Sequence, residues 1–243
     1  MEEVVNIQNL KKSFDGKEVL KGVNLSLNKG ENVVVIGKSG QGKSVTIQCI
    51  AGMITPDEGT IKVLGKEINE LNEDELKDIR VRMGFLFQHA ALYDSMTVRE
   101  NLAFPLKQAL KIKDKAEIKR RSEEALEAVG LADAIDKMPA DLSGGQRKRM
   151  GLARTLIVNP EIILYDEPTT GLDTITSKEI SQLILDIRER YKASSIIITH
   201  DMACAKKTAD RIVVMDDGKY IAEGSYAELE NSTDEFINSF FKL

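Results

Sequence analysis

With 243 residues, the chain is long enough for one large domain or two small lobes around a buried core. Its 42% apolar and 30% charged residues exclude a fibrous or disordered class, and a net charge of −5 argues against nucleic acid as the main partner. The most apolar runs (33–36, 162–165 and 195–199) are strand-length, far short of the roughly 20 residues a spanning helix needs.

Met1-Glu2-Glu3 lacks the basic-then-apolar order of a secretion signal, so any membrane role is expected to come through a partner. Residues 4–14 and 18–27 alternate apolar with polar around Asp15-Gly16 and read as antiparallel strands with one wet face. The β-branched run 32–36 reads as a fully buried strand, followed by helical spacing over 43–51 with Gly52 as its stop. A strand over 60–64, a helix over 73–82 and a strand over 84–87 come next. Cys49 and Cys204 stand alone, without a neighbour at metal-ligand spacing, and read as reduced, buried, small apolar residues.

From about residue 90 to 158 no strand pattern is present; 98–109, 115–129 and 143–158 all carry helical periodicity. The charged run 111–121 reads as a solvated helix face, because Asp114 and Glu117 interrupt its lysines and arginines. Strand–helix alternation then resumes: 162–165, 176–190, 195–198, 203–208 and 212–215. Residues 234–241 read as a short amphipathic helix, packed on its own domain or reaching a second subunit. A doubly wound α/β core interrupted by an all-helical insert is the natural architecture.

Gly37-Lys38-Ser39-Gly40-Gln41-Gly42-Lys43-Ser44 fits G-x-x-x-x-G-K-[S/T] between a predicted strand and a predicted helix. Such a loop wraps phosphates with its backbone N–H groups, and Val45 continues the helix start that adds a favourable dipole. Lys43 supplies a cation to the β- and γ-phosphates, and Ser44 a hydroxyl to Mg²⁺. Asp166 closes the apolar run 162–165 and can hold the Mg²⁺ water shell; Glu167 follows and can polarise a water for in-line attack.

Leu142-Ser143-Gly144-Gly145-Gln146, lying between that loop and Asp166-Glu167, resembles the signature of ATP-binding cassette ATPases, and the resemblance runs over essentially the whole chain. It implies a P-loop NTPase (RecA-like) core with an antiparallel β subdomain and an all-helical signature subdomain. Residues 1–88 and 159–243 would form the nucleotide-binding part, and 89–158 the helical one. It implies ATP and Mg²⁺ as ligands, with Gln88 on the Mg²⁺ or the attacking water and His200 on the γ-phosphate. Phe14 would stack on adenine, and Asp173 would work across a subunit boundary. Ser143, Gly144, Gly145 and Gln146 would close on a nucleotide held by the opposite subunit. One loop and one signature per chain then require two chains related by a twofold axis.

Residues 92–106, directly after Gln88, together with 146–154 and 171–177, are similar to the ATPase of bacterial lipid transporters with MCE-domain partners. Thr174 stands where many cassettes carry proline. The resemblance implies a motor on the cytoplasmic face of the bacterial inner membrane, held by an integral permease near residues 88–101. Phospholipid cargo and an MCE-type partner are expected, and an amino-acid importer is the alternative. With a short tail past Tyr226, no folded regulatory domain is expected. A soluble cassette acting on DNA or ribosomes is disfavoured, since no coiled-coil insertion, zinc site or tandem cassette is visible; a P-loop kinase or GTPase would make the signature a coincidence.

Overall fold

The computed structural model describes residues 2–242. In chain order, β1 (Glu3–Phe14), β2 (Lys17–Asn28) and β3 (Asn32–Gly37) lead into α1 (Lys43–Ile50), then β4 (Glu58–Val63), β5 (Lys66–Glu67), α2 (Glu73–Val81) and β6 (Met83–Leu86). Three helices follow: α3 (Val98–Gln108), α4 (Lys115–Ala128) and α5 (Gly144–Leu156). Alternation resumes with β7 (Ile162–Asp166), α6 (Thr174–Tyr191), β8 (Ser194–Ile198) and α7 (Met202–Thr208). The chain closes with β9 (Arg211–Asp216), β10 (Lys219–Gly224), α8 (Tyr226–Glu230) and α9 (Glu235–Ser239).

Two sheets organise these elements. The first is antiparallel, in the order β2-β1-β4-β5; the second runs β10-β9-β3-β8-β7-β6 and is parallel except at β10. Strand β3 is buried at every position because both of its faces are covered. Val34 and Ile36 pack with Ile163, Tyr165, Ile197 and the helices α3 to α6. Val33 and Val35 pack with Leu164, Ile196, α1 and the antiparallel sheet. Each such branched side chain contributes roughly 1.5–3 kcal/mol of burial, so the centre of the parallel sheet is the anchor of the fold.

Strand β1 departs from strict alternation. Its pairing shifts between Ile7–Leu25 and Leu10–Val23, with Asn9 at φ 49° as the extra residue. The bulge keeps Ile7 and Leu10 on one buried face although they are three apart.

Between β6 and β7 the described residues contain helices and turns but no strand. Asn101, fully buried on α3, holds the preceding loop: Nδ2 donates to the carbonyls of Tyr93, Met96 and Thr97, and Oδ1 accepts from the Tyr93 N–H. On α4, Glu117 pairs with Arg120 and Arg121 and Glu124 with Arg120, the solvated face expected there. At the end of the chain, α9 packs on its own domain, with Phe240 and Phe241 against the core and Lys38 Nζ 5.2 Å from the centre of the Phe236 ring. Three elements lay outside the sequence expectation: β5, β10 and α8. The last has a Ser225/Glu228 capping box that would have revealed it, and β10 follows an Asp217-Gly218 turn, the standard hairpin signal.

Candidate active site

Four parallel strands deliver the site. Beyond the carboxyl end of β3 runs the glycine loop, beyond β6 lies Gln88, at the end of β7 stand Asp166 and Glu167, and past β8 comes His200. That edge of an open α/β sheet is where ligands bind. The residues enclose a cavity of about 600 Å³ lined by Gly37, Lys38, Ser39, Gly40, Gly42, Lys43, Ser44 and Val45 on one side and Gln88, Glu167 and His200 on the other.

The loop fits a triphosphate on three counts. First, α2 to α9 are each N-capped by a side-chain oxygen, from Asn72, Thr97, Asp114, Ser143, Asp173, Asp201, Ser225 and Asp234. Helix α1 begins at Gly42 with no capping side chain and no acid in its first turn. A bare N-terminus costs about 1 kcal/mol relative to a capped one, and an anion there replaces the cap. Second, the Lys43 ammonium, 7% exposed, donates to the carbonyls of Gly37 at 2.7 Å and Lys38 at 2.9 Å. Burial lowers its pKa, opposed by the charges of Glu167 and Asp166. Third, the glycines permit close approach: a Cβ on Gly42 (φ 102°) would lie 2.9 Å from both the Val19 carbonyl and Leu20 Cδ2, and one on Gly37 would strike the Met215 carbonyl.

Ser44 Oγ donates to Asp166 Oδ1 at 2.8 Å. Burial raises the Asp166 carboxyl above its ordinary value, and the Ser44 hydrogen bond offsets part of that rise. Among the described residues there is no cluster of three or more His, Cys, Asp or Glu suited to a metal. The hydroxyl and single carboxylate, with the Gln88 amide opposite, match Mg²⁺, which keeps waters and takes one or two carboxylates plus phosphate oxygens.

Glu167 sits at φ 49°, in the left-handed region a non-glycine residue occupies at a cost of roughly 1–2 kcal/mol. Its Oε2 accepts from Thr170 Oγ1 at 3.0 Å and lies 2.8 Å from His200 Nδ1. An ionised carboxylate only accepts, so Nδ1 carries the hydrogen. Among the described residues Oε1 has no protein partner within hydrogen-bond reach and is free to accept from a water. Oriented by Oε2, Glu167 can act as a general base. Burial pushes the nearby Lys148 ammonium down to about 8, against the opposing pull of Glu167 and Asp166.

The remaining expected residues lie elsewhere. Phe14 stands 41% exposed at the β1–β2 hairpin tip and does not line the cavity, whereas Val19 does. Gln41 and the signature residues do not line it either. Ser143 caps α5, in a box with Gln146, and a Cβ on Gly145 would lie 2.6 Å from Thr176 Cγ2. Gly144 borders a separate hollow with Gln88, His89 and Leu172. Asp173 is the N-cap of α6, accepting from Ile175 N, Thr176 N and the Thr176 hydroxyl, which lowers its pKa. Lys148 was invisible to sequence reasoning, since a lysine in Arg147-Lys148-Arg149 reads as surface.

Residues 20–170 match the family described as ABC transporter. The chain belongs to that family. The cassette therefore binds ATP with Mg²⁺, and ATP hydrolysis is its reaction class. It is 42% identical over 223 residues to a methionine import ATP-binding protein MetN of Rhizobium etli, covering 92% of the chain and 61% of that relative. A MetN of Carboxydothermus hydrogenoformans is 39% identical over 244 residues, with 97% and 72% covered. The chain thus spans about three fifths of the Rhizobium protein. Among solved structures, the ATP-binding cassette MJ0796, in a dimeric post-hydrolysis state with ADP and Pi, matches with TM-score 0.83 at 34% identity, covering 91% and 98% of the two chains. The cbiO1 protein of Clostridium perfringens, part of the ABC transporter complex cbiONQ, matches with TM-score 0.85 at 29% identity, covering 93% and 89%. The relatives named here are methionine import proteins, so the similarity found does not support the expectation of a lipid-transporter ATPase with an MCE partner.

Proposed function

We propose that this cassette is the ATP-hydrolysing motor of a bacterial importer for methionine or a similar small amino acid. It would work as a twofold pair beneath an integral permease. Similarity to methionine import proteins over nearly the whole chain carries the cargo reading. Residues 92–106 suggested lipid cargo, but such loops change gradually between subfamilies and weigh less than that similarity.

The dimer rests on the position of the signature. Ser143 and Gly144 are exposed and do not line the cassette's own cavity. A second copy turned by a twofold axis would bring its α5 N-terminus to the γ-phosphate, supplying the positive charge an arginine supplies elsewhere. Lys43 and the bare end of α1 then hold the phosphates, and Ser44 and Asp166 would hold Mg²⁺, which would neutralise their charge. Glu167 Oε1 draws a proton from water while His200 keeps the carboxylate in line through its Nδ1–H. Gln88 would report occupancy to the helical residues 89–158.

No described helix is long and apolar enough to cross a membrane, so contact with the membrane would run through the permease. Its cytosolic helix fits the hollow of about 700 Å³ beside β6 and α3, walled by Met83, Phe85, Tyr93, Phe104 and Pro105. Deleting the gene tests the cargo. Loss of high-affinity methionine uptake is expected; normal uptake with altered membrane phospholipid distribution would restore the lipid reading.

A further inference from the structure

One face of α5 lies on the strand and loop that carry Gln88. The Lys148 ammonium, 5% exposed, donates to the Gln88 carbonyl and, at 3.0 Å, to the Glu167 carbonyl. One turn on, Gly151 lets the helix backbone sit directly on the loop: a Cβ there would lie 2.9 Å from Leu86 Cδ1 and 3.0 Å from Ala90 Cβ. Next, the Arg154 guanidinium donates to the Ala91 carbonyl at 2.6 Å and the Ala90 carbonyl at 3.3 Å. Ala90 and Ala91 stand at φ 58° and 46°, where L side chains are disfavoured, so the loop after Gln88 depends on this support. Thr155 completes the face, its hydroxyl donating to the Phe85 carbonyl at 3.3 Å.

We propose that Lys148 is a positioning residue whose buried ammonium ties the backbone of Gln88 to that of Glu167, so that a shift of α5 moves both side chains together. Lysine suits the task, because its three donors can satisfy two carbonyls arriving from different strands. The tie joins the two nucleotide sites of a dimer. Ser143, five residues earlier on the same helix, meets the partner's nucleotide, and Lys148 passes any resulting displacement to the hydrolysing groups of its own chain. This rests on the roles given above to Gln88 and Glu167; the tether itself does not.

The test compares Lys148→Met and Lys148→Gln in the full chain, by ATP turnover, thermal melting and amide exchange of residues 88–91. Removing the donors should lower kcat at least about ten-fold while KM for ATP stays within about two-fold, the pattern of lost transition-state positioning. Glutamine, whose amide still donates to carbonyls, should return kcat to within about three-fold of the parent. Exchange at 88–91 should accelerate in Lys148→Met and stay close to the parent in Lys148→Gln. Unchanged kcat and exchange in Lys148→Met would overturn the proposal. So would equal loss in both variants with KM and melting temperature moving in step, the mark of a merely structural role. Should the parent itself fail to hydrolyse ATP, the functional reading falls. Exchange then decides the tether alone: acceleration in Lys148→Met upholds it and no change removes it.

Discussion

Lys43 gives two of its three N–H donors to the carbonyls of its own loop, leaving one for a phosphate oxygen. Lys43→Ala removes that charge-assisted bond and frees the loop. Nucleotide affinity should fall by about 2 kcal/mol, roughly 30-fold, by titration with a fluorescent ATP analogue; undiminished affinity would remove Lys43 from the cradle. The cavity-lining residues Lys43, Ser44, Gln88, Glu167 and His200 were legible because strand-end motifs at fixed intervals leave few places for them to go. Lys148 was not. Its burial exists only once α5 crosses the loop after β6, and no local pattern records that crossing.

Elements were legible where apolar runs are long and flanked by turn residues. The parallel strands and eight of the nine described helices, all but α8, fell within two residues of expectation at each end. What escaped lies on edges: β10 alternates exposed with half-buried residues, so its period-2 signal has little apolar contrast. The start of α6 moved to Thr174 because Asp173 serves as its N-cap. Asn101 is the element-scale residue with the clearest stability consequence. Asn101→Ala removes the side-chain partner of four backbone groups of residues 93–97 at once; the Tyr93 and Thr97 carbonyls keep a backbone donor, and the Tyr93 N–H and Met96 carbonyl lose the bond to Asn101. A loss of about 3 kcal/mol is expected, read as a melting temperature lower by roughly 6–12 °C; a drop below about 2 °C would show that water replaces those bonds.

At the scale of the whole molecule, one chain holds a phosphate cradle and a signature glycine that border separate hollows. That division was readable from one copy of each motif, whereas the cargo was not, because substrate contacts belong to another protein. Ser143→Arg should leave ATP binding intact and stop turnover, since a guanidinium at the α5 N-terminus blocks the approach to the partner's γ-phosphate. Loss of the cap costs only about 1 kcal/mol of stability, so full turnover in the folded variant would detach the signature from catalysis. The shared site itself is tested most directly by light scattering on Glu167→Gln, which keeps the cradle and removes the base. With saturating ATP and Mg²⁺ the mass should double from the 27.0 kDa of one chain, and return to it without nucleotide. A mass that stays at 27.0 kDa with ATP bound would contradict a nucleotide held between two cassettes.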